Sequence, residues 1–458
     1  VSGRAVPAVR VLLGVLGAVA LLYALTVGVL AAFPGKEAWI AEPIDFLAFD
    51  CAAKVGASGA DPYLAEPLRS CERDALWESH IKIVPNLVVP APLPPYALAI
   101  FSILSRLAFR AASGMWFALG LIALGATVVL LRKLTNAPIL LLAVVLLLAD
   151  AFASIPIGQL VPLVLCALCG VGLALRAERP ALAAALTLPL MLEPHVGLPV
   201  ALALFVWEPR ARRPLLVVAA VLGVLSLSEG FGRNFEYLRV VLPAQARGEG
   251  LEFGGQYSLS ALLAALGVGA SLALALGTAS YVAMMAAGIA LAGRLAKNLE
   301  DRSLVALVPP ACVVFGGTYV HIHQMAFALP LTLLLVMRRP RLRALTVAAL
   351  FALAIPWETL GEIPGIGPAH KSAHHIDIAA QLARVSAGTL PAEEAWGVWV
   401  RSGERDSRTA WERFEFKVPT WLGLGLLLGA ALLVARECDG LQPLRPAGRR
   451  RAVRRSAT

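Results

Sequence analysis

Residues 113–132 read SGMWFALGLIALGATVVLLR. No charged side chain interrupts this stretch before Arg132. As a helix rising about 1.5 Å per residue, it matches the roughly 30 Å hydrocarbon core of a bilayer. Similar runs recur along the chain. Candidate crossings lie near 11–33, 113–132, 137–153, 160–176, 180–192, 196–208, 214–230, 268–293, 303–320, 323–337, 343–356 and 419–436. The 458 residues are 59% hydrophobic and only 15% charged, and the mean hydropathy is +0.75. This balance excludes a soluble globular protein of this size. A β-barrel would show short alternating segments, whereas these runs are continuous. The expected fold is therefore all-α, a polytopic integral membrane protein.

The charges sort that expectation into a topology. The net charge of +10 is not spread over one surface. Basic residues fall in short breaks between apolar runs: Arg132-Lys133, Arg176/Arg179, Arg210/Arg212/Arg213, Arg294/Lys297/Arg302 and Arg338 to Arg343. A basic tail, 437–458, follows the last run. This is the positive-inside pattern, and it argues against nucleic acid as a partner. With a cytosolic N-terminus every basic break falls on the cytosolic side, provided that Tyr96–Phe109 lies at the interface or re-enters. The expected count is 11 to 13 helices. The run from Val11 to Phe33 is long enough to span, so it reads as an uncleaved first helix. Residues 1–436 form one expected transmembrane domain. Its long outer loops cover 34–95 and 357–418, with a shorter middle loop near 231–258. Within the last outer loop, IDIAAQLARV (376–385) has the pattern of an interfacial amphipathic helix.

The same topology gathers Asp45, Asp50, Asp61, Gln159, Glu193, His195, Gln256, His321 and His323 at the outer face. Ionisable groups at a membrane face are costly to desolvate, so a cluster of them points to a site. The first outer loop carries IDFLAFDCAAKVGASGADPY at 44–63. On a helix Asp45 and Asp50 lie about 140° apart, so at most one enters a shared site. Asp45 reads either as a general base or as a helix cap after Pro43-Ile44. Asp61-Pro62-Tyr63 closes the stretch. Ile157-Gly158-Gln159 reads as a turn with a side chain able to hydrogen-bond a hydroxyl-rich ligand. Glu193-Pro194-His195 separates two short apolar runs, as a broken helix lining a cavity would. His321-Ile322-His323-Gln324 opens another run.

No metal site is expected. The six cysteines lack paired zinc spacing, and His321 and His323 have no carboxylate beside them in sequence. His370, His374, His375 and Asp377 read as a solvated loop cluster. Cys51 and Cys71 share the first loop, and either a disulfide or two free thiols is open there. No P-loop, G-x-S-x-G or H-E-x-x-H motif is present.

The order of these features resembles glycosyltransferase family 87. The resemblance runs from Asp45-Phe46-Leu47-Ala48-Phe49 and Gly59-Ala60-Asp61-Pro62-Tyr63 through Pro94-Pro95 and Gly158-Gln159. It continues with Glu193-Pro194-His195, Gln256-Tyr257-Ser258-Leu259 and His323-Gln324, spread over about residues 40–335. Each match is short; their order and topology carry the likeness. It implies a GT-C-like bundle with interfacial helices in the first outer loop. It implies inverting, metal-free and cofactor-free transfer of a sugar, mannose in the family's polyprenyl-phosphate-dependent members, at the outer face of a bacterial plasma membrane. The donor would be a polyprenyl-phosphate-linked sugar drawn from among the membrane lipids, and the acceptor a glycolipid or glycan. Asp45 would be the general base. Asp50, Tyr63, Gln159, Glu193, His195, Gln256, His321, His323 and Gln324 would bind substrate. Two positions depart from the family: Glu193 stands where lysine is common, and Gln324 replaces the second of two paired histidines. A transporter or flippase of a lipid-linked glycan is the alternative reading, and a membrane scaffold without chemistry is a third.

Overall fold

The computed structural model describes residues 43–78, 88–252, 255–361, 383, 390–403 and 415–437. Among them the secondary structure is helical, and strand-like pairing is limited to two isolated bridges, Leu64 with Pro391 and Gln256 with His321. The described chain runs from α1 (Ile44–Ala57) and α2 (Ala65–Glu78) through the short α3 (Pro95–Phe101) into the long α4 (Phe109–Thr135). Then come α5 (Ile139–Leu148), α6 (Asp150–Ile157), α7 (Val161–Arg176), α8 (Pro180–Ala185), α9 (Thr187–Leu190) and α10 (Pro194–Trp207). Next, α11 (Arg212–Ser228) leads to α12 (Phe231–Glu236), a π turn (Tyr237–Val241) and α13 (Leu242–Glu252). They are followed by α14 (Leu259–Ala265), α15 (Ala270–Asn298) and α16 (Leu304–Val313). A 3-10 stretch, Ile322–Ala328, passes into α17 (Leu329–Arg338) and α18 (Arg343–Ala354). The last described helices are α19 (Trp357–Gly361), α20 (Ala392–Gly403) and α21 (Val418–Arg436).

Local sequence explains where these helices begin and end. Pro94 is extended and Pro95 takes the first helical position of α3, where its missing N–H is no loss. The long α4 stops at Asn136, which caps it in the left-handed conformation (φ 58°), and Arg132 and Lys133 lie in its last turn against the carbonyl end.

Four stretches are long and apolar enough to cross a membrane: α4, Pro209–Ser228 ending in α11, α15 and α21. α5 and α6, bent by 53° at their junction, pass the same test together, as one broken span or as a re-entrant pair. The chain is therefore an all-α membrane protein. Of the expected 11 to 13 crossings, four or five meet this length and composition test among the described residues. The remaining apolar helices, including α7, α10 and α16, have 10–17 residues and are too short to cross singly. Pro180, Pro189 and Pro194 chop the region around Glu193, so the runs at 180–192 and 196–208 yield short pieces. Tyr96–Phe109 forms α3 and a 3-10 turn, Leu104–Arg106, rather than a crossing helix. The middle stretch expected as a loop is helical over Phe231–Glu252. The candidate crossing at 11–33, the segment 376–385 apart from residue 383, His80, His370, His374, His375, Asp377 and the tail beyond Glu437 lie outside the described residues.

Exposed apolar side chains mark the lipid-facing sides. Leu216, Val217, Val224 and Leu227 on α11 and Leu272, Leu276 and Val282 on α15 are all exposed. In water such a surface would be a liability; in hydrocarbon it is the expected solvent contact. Inward, α15 packs on α16, α4 on α7, and α18 on α21.

The two ends of the bundle differ in chemistry, and α7 measures the distance between them. Its 16 residues correspond to roughly 24 Å. At its C-terminal end Arg176 donates to the buried Asp301 at 2.8 and 2.5 Å. Arg338 pairs with the same carboxylate at 2.8 Å, and Ser303 Oγ donates to it at 2.7 Å. Arg302 pairs with Glu208, and Arg339 with Glu437 at 3.3 Å. These bridges tie together the ends of α7, α10, α15, α17 and α21. Beyond the N-terminal end of α7 lies Gln159, and with it the opposite polar face.

Near the start of the described chain, Cys51 of α1 and Cys71 of α2 form a disulfide with a Cα–Cα distance of 5.6 Å. The sequence left this pairing open. Glu72, buried, accepts the backbone N–H of Val89 at 3.1 Å and ties α2 to the stretch before α3. A cross-link closing a loop of 20 residues constrains the unfolded chain. Cys51→Ser is expected to lower stability by about 3 kcal/mol. Thermal unfolding of detergent-solubilised protein with and without reductant measures this; an identical melting temperature for the variant and the oxidised wild type would refute it.

Candidate functional site

Asp45 stands in the first turn of α1, and an aromatic seat fixes that turn. Phe46 stacks on Trp116 of α4 with ring centroids 5.5 Å apart and meets Phe109 at 6.2 Å. Phe49 and Trp116 both pack on Phe101 of α3, at 5.3 and 5.1 Å. Such clusters add to the burial of their apolar area by orienting the rings. Trp116 Nε1 also donates to the carbonyl of Gly158 at 2.8 Å.

Gly158 completes the seat. Its φ of +86° is a conformation that favours glycine. A Cβ placed there would lie 2.5 Å from Phe46 Cβ and 2.8 Å from Phe46 N. The turn after α6 therefore touches the backbone of α1 directly. This delivers the next residue, Gln159, to Asp45: Gln159 Nε2 donates to Asp45 Oδ2 at 2.6 Å. Asp45 makes no capping bond; Pro43 is the N-cap of α1. Part of Asp45 remains exposed, but the protein around its carboxyl strips it of water. Desolvation pushes its pKa up to about 7, against the opposing pull of Gln159 and His321; Glu249 adds to the rise.

A second group of side chains meets this carboxylate from the far half of the chain. An isolated bridge between Gln256 and His321 sets its register, with Tyr257 N donating to Val320 O at 2.7 Å. Gln256 Oε1 accepts the N–H of Val320 at 3.0 Å, while its Nε2 is buried without a partner. His321 then caps the 3-10 stretch, and its N–H reaches Gln324 Oε1 at 2.9 Å in a reciprocal capping box. The His321 ring stacks on His323 at 4.9 Å with planes 10° apart. Its Nε2 lies 2.7 Å from Glu249 Oε1.

Glu193 is the junction between the two halves. It sits between α9 and α10, buried, where Pro194 starts the new helix. Gln324 Nε2 donates to Glu193 Oε2 at 3.2 Å, and His195 Nδ1 lies 3.4 Å from the same oxygen. His195 Nε2 is buried without a partner. Tyr96 OH donates to Met191 O at 2.7 Å, so α3 is pinned to the break before Glu193.

Asp45, Gln159, Glu193, His195, His321, His323 and Gln324 thus come together, as the sequence suggested. Gln256 joins them mainly through its backbone register. Asp50 does not. It lies on another side of α1, is 1% exposed and pairs with Lys54 at 2.7 Å. Tyr63 is also buried away from Asp45, with its hydroxyl donating to Leu93 O at 2.8 Å. Three residues were not anticipated: Glu249, Tyr319, whose ring meets His321 edge-on at 4.9 Å, and Glu393 beyond Glu249. Glu249 had the only visible flag, a carboxylate between two glycines in Arg247-Gly248-Glu249-Gly250.

The assembly offers two carboxylates able to take a proton near neutral pH, Asp45 and Glu193, both pushed up to about 7 chiefly by burial, and beside them imidazole and amide groups that donate or accept. Among the described residues, no three His, Cys, Asp or Glu side chains converge on a point that a metal ion could occupy. No protein-family model, curated protein or solved structure matches the chain.

Proposed function

We infer that this membrane protein is an inverting glycosyltransferase, with Asp45 as general base for the acceptor hydroxyl. The observation that carries the reading is the Asp45–Gln159 pair. It is a desolvated carboxylate near neutral pKa, fixed on an outer-loop helix and facing a group of histidine and amide side chains. In-line transfer needs a base on the acceptor side and charge stabilisation at the leaving group. His195 Nε2 and Gln256 Nε2, both buried and unpartnered, are suited to a leaving phosphate on a polyprenyl lipid. The sugar on that lipid would be mannose, following the resemblance to the family's polyprenyl-phosphate-dependent members. Glu193 would face the sugar, its charge shared with Gln324 and His195.

The disulfide in the first loop supports an oxidising, non-cytosolic side for this face, as at the outer surface of a bacterial plasma membrane. The ion pairs centred on Asp301 hold the opposite end together. This weighs against a transporter or flippase, which would have to open there.

The direct test is incubation of purified protein with polyprenyl-phosphate-mannose and candidate glycolipid acceptors, with mass analysis of the products. Absence of any hexose-extended product or donor turnover with every acceptor would count against the reading. The pH profile gives a second check. Asp45 must be ionised to act, and its neighbours Gln159, His321 and Glu249 leave its pKa near 7. Transfer is expected to rise about tenfold per unit below about pH 7 and to level off above it. A flat profile across that range would remove Asp45 as the titrating base.

A further inference from the structure

A second group of carboxyls lies next to Glu249, built from four segments. Leu64 bridges Pro391, with Ala65 N donating to Leu390 O and Ala392 N to Tyr63 O, each at 2.8 Å. This pairing sets Glu393 in the first turn of α20, opposite Asp61 and Tyr63. The backbone of Glu393 lies against Gly248, where a Cβ would come within 3.1 Å of its carbonyl oxygen. Glu236 approaches from the end of α12, within hydrogen-bonding reach of Asp61. Tyr237 packs on Tyr63 with ring centroids 6.2 Å apart.

Among the described residues the charge here is unbalanced: Glu249, Asp61 and Glu236 all act on Glu393, and Asp61 acts on Glu236. Arg233 is the nearest cation to Glu236, but it is engaged: its guanidinium donates to Glu229 at 2.5 Å and to the carbonyls of Gly56 and Ala60 at 3.1 and 2.9 Å. His321 is engaged with Glu249. Glu393 is the decisive member. It is 2% exposed, and neither carboxyl oxygen has a hydrogen-bond partner. A buried acceptor left empty is costly unless a ligand fills it. Burial and its acidic neighbours push Glu393 up to about 8, and burial with Asp61 pushes Glu236 up to about 7. A bound cation would relieve both.

We propose that Glu393, with Glu236 and Asp61, receives the protonated primary amine of an acceptor beside Asp45. A divalent ion fits less well, since no three carboxyls converge on one point among the described residues. The hydroxyls of Tyr63 and Tyr237 are turned to the carbonyls of Leu93 and Pro92, at 2.8 and 3.5 Å. Their rings are buried against each other and back the carboxyl group rather than line it. The amine could be carried by an amino sugar or by an aminophospholipid. The placement of this group as an acceptor subsite rests on the transferase reading; the binding of an amine does not.

The test uses the full chain in phosphatidylcholine nanodiscs. Glucosamine and N-acetylglucosamine are titrated by calorimetry, and phosphatidylethanolamine is then added to the bilayer as the lipid-borne amine. Glucosamine is expected to bind about tenfold more tightly than its acetylated form, and Glu393→Gln is expected to abolish that preference. Saturation by phosphatidylethanolamine that blocks glucosamine supports the proposal and identifies a lipid source; lack of competition supports it and identifies a sugar source. Glu236→Gln, measured alongside, guards against a folding defect in the first variant: it should weaken the preference while retaining the wild-type melting temperature. Equal binding of both sugars, no binding of either, or competition by calcium alone would overturn the proposal. If transfer fails with all acceptors while the amine preference persists, the transferase reading fails and the amine site stands. If neutral acceptors are extended and the preference is absent, only the amine site fails.

Discussion

Asp45→Asn is expected to lower transfer on the order of 10²- to 10⁴-fold, the usual contribution of a positioned base. The substitution keeps the shape of the side chain, and its amide oxygen can still accept from Gln159 Nε2, now at 2.6 Å from Asp45 Oδ2. It also removes a carboxylate that burial disfavours in its charged form. The variant should therefore insert, fold and bind donor as wild type does, with the loss confined to turnover. Single-turnover measurement with radiolabelled donor separates the two steps, and a melting curve reports the fold. Near-normal turnover would remove Asp45 from the chemistry and leave Glu249 or Glu193 to explain.

Asp301→Ala carries the largest expected effect on stability. The carboxylate is buried between Arg176 and Arg338, and Ser303 donates to it through both its backbone and its hydroxyl. Burial alone would raise its pKa, but Arg176, Ser303 and Arg338 outweigh that and hold it below the ordinary Asp value. Its stabilisation is thus fully present above the ordinary carboxylate range and is lost only as pH falls through the depressed value. Removing one partner of a buried pair leaves the others uncompensated, at a cost of roughly 3–5 kcal/mol. The arginines are partly exposed, so about 3 kcal/mol is the appropriate end of that range. Thermal unfolding in detergent measures the change. A triple change, Asp301→Leu with Arg176→Met and Arg338→Met, should recover much of it, because no charge is then stranded. A single variant as stable as wild type would show that these bridges do not hold the basic end.

Much of the site could be read from the chain because its residues interrupt apolar runs. Gln159 follows a glycine, Glu193 and His195 flank a proline, and His321 to Gln324 begin a run. An ionisable or amide group at such a break is conspicuous against aliphatic neighbours. Glu249 and Glu393 had no such contrast. Both sit in polar stretches, and their significance comes from packing against segments more than a hundred residues away. Asp50 illustrates the opposite error. Its type and place matched those of Asp45, but only the fold shows that Lys54 and the interior of α1 claim it. Helix length was less legible for another reason. Hydropathy measures how apolar a run is, whereas the prolines around Glu193 decide how long its helices are.

The pairing of residues 63–65 with 390–392 joins an early part of the chain to a late one. Its two hydrogen bonds cannot form until synthesis has passed residue 392 and the later segment has reached the same side of the bilayer. Until then the backbone groups of Tyr63 and Ala65 must be satisfied by water, and Glu393 is not yet opposite Asp61. The Asp45–Gln159 pair needs no such wait, since both of its members precede most of the spans. Assembly is therefore staged: the Asp45–Gln159 pair can form early, and the acidic wall around Glu393 closes last.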